Sequence, residues 1–195
     1  AAGFAAMFKP HGVTEATAQP QQDAVTAIND GSANWAHYGY GPKGTRFAPY
    51  TQIDKANVDQ LQVAWSYRTG EVAEGASEAQ NTPLQIGDTI YTCTPTSKVI
   101  ALDADTGKQR WSFDPKPANI KTWNRCRGVG YYEPAKVTKP FQFEGMQAAS
   151  APVAGVCAKR IVQVTMDARL IEIDAQTGKQ CEGFGNNGSL DLSVG

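Results

Sequence analysis

Polar residues that could hold a small ligand stand directly before and directly after predicted strands. They are Gln80, Asn81, Thr94, Arg127, Gly128 and Thr165. Neighbouring antiparallel strands begin and end at the same edge of a sheet, so we expect these residues to gather at one mouth of a channel. A single guanidinium among neutral polar groups suits a planar anionic ligand. Ordinary polarity at a sheet edge would explain the same pattern equally well.

The segment between Phe113 and Arg160 is longer than a hairpin requires. Long loops on a rigid scaffold often carry function. Trp123 lies in this segment shortly before Arg127, and its indole could stack on a flat ring. Packing within the loop is the alternative role for this tryptophan.

Other kinds of site find little support. The two histidines, His11 and His37, have no partner at metal-ligand spacing, and no phosphate loop, nucleophile motif or carboxylate pair stands out. Lys and Arg number 18 against 19 Asp and Glu. This balance gives no electrostatic footprint for nucleic acid or for a membrane surface.

The four cysteines, Cys93, Cys126, Cys157 and Cys181, form no CxxC motif, which argues against zinc. Their even number permits disulfides in an oxidising compartment, and four buried thiols are the alternative. We predict a Cys157–Cys181 disulfide, because one cysteine leads into a predicted strand and the other lies two strands later in the same sheet. We expect Cys93 and Cys126 to be buried thiols.

A repeat organises the strands. KVIALDADTGKQRWSF at 98–113 recurs 71 residues later as RLIEIDAQTGKQCEGF at 169–184. Alternating apolar residues between Gly and Asp turns predict antiparallel strands, and Gly107 and Gly178 suit a positive φ. The predicted strands are 82–86, 89–94, 98–103 and 108–113 in the first unit, and 129–133, 160–165, 169–174 and 179–184 in the second. Gly185–Gly188 reads as a turn between units.

Four antiparallel strands in a repeated unit are typical of a β-propeller blade. Ala64–Tyr67 (AWSY) matches the fourth strand of a blade (RWSF), but no first three strands precede it. We therefore predict an all-β fold, a partial propeller of about two blades plus an outer strand that closes the last blade. Residues 1–32 read as the end of a membrane region, or a disordered start, followed by a linker, and 33–195 as the propeller portion.

Four segments resemble the membrane-bound pyrroloquinoline quinone (PQQ)-dependent dehydrogenases of the glucose/quinate/shikimate group. They are Trp35–Gly39 with Gly44–Pro49, Asn57–Leu61 with Ala64-Trp65, the CRGV run at 126–129, and the two Asp-Ala-x-Thr-Gly-Lys turns. The resemblance implies an eight-bladed propeller at the periplasmic face of the bacterial inner membrane, preceded by membrane helices. It also implies PQQ and calcium as cofactors and ubiquinone as electron acceptor, with a catalytic aspartate and calcium ligands beyond residue 195.

The resemblance also assigns residues by position. Arg127 resembles the arginine at the quinone edge of PQQ, and Thr165 resembles a threonine that contacts the cofactor. Gln80 stands where many relatives have a glutamate that binds PQQ. Trp123 stands where the glucose enzymes carry a histidine, which favours a quinate/shikimate dehydrogenase. Arg125, in the same loop, is then a candidate for binding the substrate carboxylate, with an orientation toward solvent as the alternative.

Two other functions remain open at this stage. A glucose or other polyol dehydrogenase is the nearer alternative, and a non-catalytic propeller scaffold is the alternative of another class. In every case we expect the C-terminal remainder of the same propeller to be an obligate partner, because two blades leave open sheet edges.

Overall fold

The computed structural model describes residues 34–41, 43–48, 50–71, 77–118, 124–133 and 155–193. All of them belong to the second of two units, Ser32–Gly195. The predicted membrane end and linker at 1–32 lie outside the described residues, and this assignment stays a prediction. Within the described part of the chain, no helix is long and apolar enough to span a membrane.

Blade one is a four-stranded antiparallel meander. Its strands are β2 (Leu84–Ile86), β3 (Thr89–Cys93), β4 (Val99–Asp103) and β5 (Gln109–Phe113), paired in chain order. β3 alternates between buried and half-buried residues, as the apolar alternation predicts. The short β1 (Glu78–Ala79) precedes this meander and pairs outside it.

Blade two repeats the meander with β7 (Gly130–Tyr132), β8 (Arg160–Val164), β9 (Arg169–Asp174) and β10 (Ser189–Asp191). The short β6 (Arg125–Cys126) precedes it and pairs in parallel with β1. Ile161, Ile171 and Ile173 of blade two are fully buried in one core with Tyr91 and Trp111 of blade one. The predicted all-β partial propeller is confirmed.

The repeated turns have the geometry that the sequence predicts. The Asp103 carboxylate accepts hydrogen bonds from the amide and the hydroxyl of Thr106, and Asp174 binds Thr177 in the same way. The glycines that follow take φ values of 68° at Gly107 and 74° at Gly178. Glycine adopts such angles without the steric cost that a Cβ would impose.

The predicted fourth strand of blade two at 179–184 is wrong. Only Gln180 keeps the expected bridge, opposite Ile173, after which the chain leaves the sheet and returns as β10 along the same edge of β9. The Gly185–Gly188 segment is therefore a loop within blade two rather than a turn between blades. The reason is visible at Glu172, whose carbonyl accepts from Cys181 while its amide donates to Gly188.

Both pairs of cysteines are oxidised. The predicted Cys157–Cys181 disulfide is confirmed. The expectation of buried thiols at Cys93 and Cys126 is wrong, since these residues form a second disulfide with their Cα atoms 6.0 Å apart. The parallel pairing of β1 with β6 brings the two cysteines together, and sequence spacing gave no sign of that pairing.

Candidate functional site

The residues predicted at the mouth include Gln80 and Arg127, and they directly follow β1 and β6, which run side by side in parallel. The amide of Glu78 donates to the carbonyl of Asn124, and the amide of Thr82 donates to the carbonyl of Arg127, each at 3.0 Å. These bonds flank the two-residue ladder on both sides. The start of blade one and the start of blade two therefore meet at this point, as the strand order predicted.

Arg127 is the exposed cation of this junction. Its backbone is fixed by Thr82, and its neighbours Cys126 and Val129 are buried. Among the described residues its guanidinium forms no ion pair.

Thr165 ends β8 at the same side of blade two. Its buried hydroxyl donates to the Asp167 carboxylate and accepts from the amide of Arg169 at 3.3 Å. Thr94 holds the equivalent turn of blade one, accepting from the amide of Lys98 at 3.1 Å. With its proton engaged in the turn, Thr165 could contact a ligand only as an acceptor or through its methyl group.

Gln80 and Arg125 share one carboxylate. The side-chain amide of Gln80 donates to Glu78, and the Arg125 guanidinium lies 3.8 Å from the same carboxylate. A substrate carboxylate at Arg125 would therefore compete with Glu78, and the role of Arg125 stays a prediction. Trp123 lies outside the described residues, so its predicted position above the ligand also stays a prediction.

Asn81 was predicted from the sequence to lie at the mouth, but it was not assigned a role in the site. Its amide nitrogen lies 3.0 Å from the Thr92 hydroxyl and 3.2 Å from the carbonyl oxygen of Cys93. Its Oδ1 atom is buried and accepts no hydrogen bond from any described residue. Such an orphaned acceptor is costly unless a further donor satisfies it.

The exposed Arg127 cation fits a flat ligand that carries negative charge, as PQQ does. A metal ion is a different matter. The described residues contain no group of three or more His, Cys, Asp or Glu side chains that could hold one.

Comparison with known proteins identifies the domain. Residues 35–195 match the family model described as "PQQ: Glucose/ethanol/alcohol dehydrogenase, beta-propeller domain". The quinate/shikimate dehydrogenase (quinone) of Acinetobacter baylyi is 36% identical over 99% of this chain and 24% of its own length. The quinoprotein glucose dehydrogenase of Escherichia coli is 37% identical over 98% of this chain and 23% of its own length.

A solved structure shows the same architecture. The quinohemoprotein alcohol dehydrogenase from Comamonas testosteroni superposes with a TM-score of 0.60 at 25% identity, covering 91% of this chain and 22% of that one. The chain thus spans about a quarter of the length of the relatives it matches. All of these relatives are named as dehydrogenases, so the scaffold alternative loses its support.

Proposed function

Since this chain belongs to the β-propeller domain family of PQQ-dependent glucose, ethanol and alcohol dehydrogenases, we propose that it forms part of a quinone-linked dehydrogenase that oxidises a hydroxyl group of a small molecule. The observation that carries the proposal is Arg127. Its backbone is pinned between two blades while its guanidinium remains without an ion pair among the described residues. These backbone contacts hold an exposed cation at the meeting point of the two blades, where its planar fork of donors can bind an anionic ligand.

The residues of the junction have distinct tasks. The Arg127 cation would bind a negatively charged oxygen of the cofactor and would stabilise further negative charge there. The Asn81 side-chain amide holds the end of β3 through Thr92 and the Cys93 carbonyl. Thr165, held by Asp167, shapes the blade-two side of the mouth. When bound, PQQ supplies the two-electron redox chemistry that no side chain of this chain can perform.

Quinate or shikimate is the proposed substrate. Trp123 stands where the glucose enzymes of the resembling group carry a histidine, and two relatives are named for quinate. A glucose or polyol substrate is the second candidate, because the relative named for glucose dehydrogenase is equally similar in sequence.

The remaining components are proposed from the family as well. Calcium would be held by residues beyond this chain, together with the catalytic base. The electron acceptor would be ubiquinone, at the periplasmic face of the bacterial inner membrane, with membrane helices preceding the propeller. The two disulfides support an oxidising compartment such as the periplasm.

The test is reconstitution of the full-length apoenzyme with PQQ and calcium, followed by assays on quinate, shikimate and glucose with a ubiquinone analogue. We expect PQQ-dependent oxidation of quinate or shikimate, with glucose a poorer substrate. Arg127→Lys keeps the charge but loses the planar fork of donors, and should weaken PQQ binding by about tenfold. Arg46→Lys, the same exchange at an exposed arginine stacked on Tyr38, is the control. Failure of the wild-type enzyme to reduce the acceptor with any of the three substrates would refute the proposal.

A further inference from the structure

We infer that the Cys93–Cys126 disulfide is a positioning element for Arg127, so that forming this cross-link raises the affinity for the cofactor. The inference deepens the proposed function and rests on it for the identity of the ligand. It assigns a role in the site to two residues that sequence reasoning set aside as buried thiols.

The disulfide stands one residue before Arg127. Cys93 is the last residue of β3 in blade one, and Cys126 is the last residue of β6. The ladder that otherwise holds β6 consists of two pairs, Glu78 with Arg125 and Ala79 with Cys126. So short a ladder holds a strand weakly, and the covalent bond supplies the missing constraint.

Two amide side chains enclose the disulfide, one from each blade. The Asn81 nitrogen lies 3.3 Å from the Cys93 sulfur, and the Gln163 nitrogen lies 3.6 Å from the Cys126 sulfur. Gln163 is fully buried in β8, and both cysteines are buried as well. The cross-link therefore lies at the contact between the blades, shielded from solvent, and Asn81 connects it to the mouth.

This arrangement fixes the Arg127 backbone from three directions. Cys126 is covalently attached to blade one, the Arg127 carbonyl accepts from Thr82 at 3.0 Å, and Val129 is buried in the shared core. Only the side chain of Arg127 is free to rearrange. A backbone fixed in advance leaves only the side chain to be ordered when the ligand binds, which lowers the entropic cost of binding.

The second disulfide provides a matched control. Cys157–Cys181 closes a loop of similar length, with a sequence separation of 24 against 33, but both of its cysteines lie within blade two. Removing it should lower stability without releasing the Arg127 segment. Comparing the removal of each disulfide therefore separates an effect on stability from an effect on the position of Arg127.

The experiment uses the full-length enzyme with Cys93→Ala/Cys126→Ala or Cys157→Ala/Cys181→Ala, each with and without Arg127→Lys. PQQ titration of the apoenzyme should give a Kd about tenfold above wild type in Cys93→Ala/Cys126→Ala. Adding Arg127→Lys to this variant should raise the Kd little further. In Cys157→Ala/Cys181→Ala the Kd should stay within about twofold of wild type while the melting temperature falls, and Arg127→Lys should keep its full effect. Additive effects of Arg127→Lys and cross-link removal would overturn the inference.

Amide hydrogen exchange in the apoenzyme provides a readout that needs no cofactor. The amides of Thr82 and Glu78 bond to the Arg127 segment, and they should exchange faster only when Cys93–Cys126 is removed. Unchanged exchange would overturn the inference even if the enzyme uses a different cofactor, whereas failure to bind PQQ with changed exchange would refute only the proposed function. Should the double alanine variant not fold, Cys93→Val/Cys126→Ala restores apolar volume and serves in its place.

Discussion

The indole nitrogen of Trp111 donates to the carbonyl oxygen of Ala175 at 3.1 Å, which ties the outer strand of blade one to the repeated turn of blade two. Trp65 makes the equivalent bond to Ala104 at 3.0 Å. In both cases the indole covers the glycine three residues after the acceptor, Gly178 or Gly107. The repeat in the sequence is therefore also a repeat of contacts, and Trp65 contacts the turn of blade one as Trp111 contacts the turn of blade two.

Gly178→Ala should destabilise the propeller beyond the cost of its backbone angle. The added Cβ would approach Trp111 Cδ2 to 2.7 Å, and φ is 74° at this position. Gly87→Ala is the control, because its φ is also positive, at 59°, and nothing lies within 4 Å of its Cβ. Thermal melts of the full-length protein should show a loss of about 1 kcal/mol for the control and about 2–4 kcal/mol for Gly178→Ala. Equal losses would mean that the indole moves aside at no cost.

Arg125→Gln tests recognition of the substrate carboxylate. If Arg125 binds the carboxylate in preference to Glu78, its removal should raise KM for quinate by about tenfold and leave KM for a neutral polyol unchanged. Lys108→Gln removes one positive charge at an exposed position in the turn after β4 and is the matched control. A KM for quinate equal to that of the control would contradict a role for Arg125 in binding the substrate carboxylate.

The turn that holds Thr165 should make stability depend on pH. Burial alone would raise the pKa of the Asp167 carboxyl, but hydrogen bonds from Arg169 and Thr165 hold this pKa at about 2. A pKa below the unfolded value of about 3.9 means that the Asp167 carboxylate stabilises the fold, and that this stabilisation is complete above about pH 5. It is then lost as the pH falls from about 4 to about 2.

In Asp167→Asn the urea midpoint should therefore fall less between about pH 5 and pH 2.5, because the variant lacks the carboxyl group that titrates in this range. Asp105→Asn, at an exposed carboxylate in the turn after β4, removes the same charge and serves as the control. The same decline in both variants would show that Asp167 contributes nothing specific.

The parts of the fold that follow local rules were predictable from sequence. The Asp-x-x-Thr-Gly turns specify their own hydrogen bonds and their own positive φ, and the apolar alternation places β3, β4, β8 and β9 to within about a residue. The Cys157–Cys181 pairing was also predicted correctly, although Cys181 lies in the loop between β9 and β10 and not in the predicted fourth strand.

The features that were missed depend on contacts between distant segments. The β1–β6 ladder has two residues per strand, too few for a periodic signal, and it contains Cys126 of the Cys93–Cys126 bond. A loop before β10 stands in place of the fourth strand that the repeat predicted. The backbone of Glu172 bonds to both ends of this loop. At the site, the sequence placed Gln80 and Arg125 near the mouth but could not show that both bind Glu78.

Expression of residues 1–195 alone tests how this part of the propeller is completed. The segment around Ala64–Tyr67 forms no ladder with any described strand. It borders an open groove of about 540 Å³ on blade one, lined largely by apolar residues such as Trp35, Trp65 and Leu84. Val63 beside it is 82% exposed, and Val164 and Leu192 of blade two are 58% and 50% exposed.

These surfaces correspond to the faces that bury each other where blades one and two meet. We expect the last blade to cover the groove with Ala64–Tyr67 as its outer strand, and a further blade to cover blade two. In repeat architectures much of the stability comes from such neighbour interfaces. The isolated chain should therefore self-associate, melt without cooperativity and show weak near-UV circular dichroism, whereas the full-length protein under the same conditions should be ordered. A monodisperse monomer with a cooperative melt would show instead that the two blades form a self-sufficient domain.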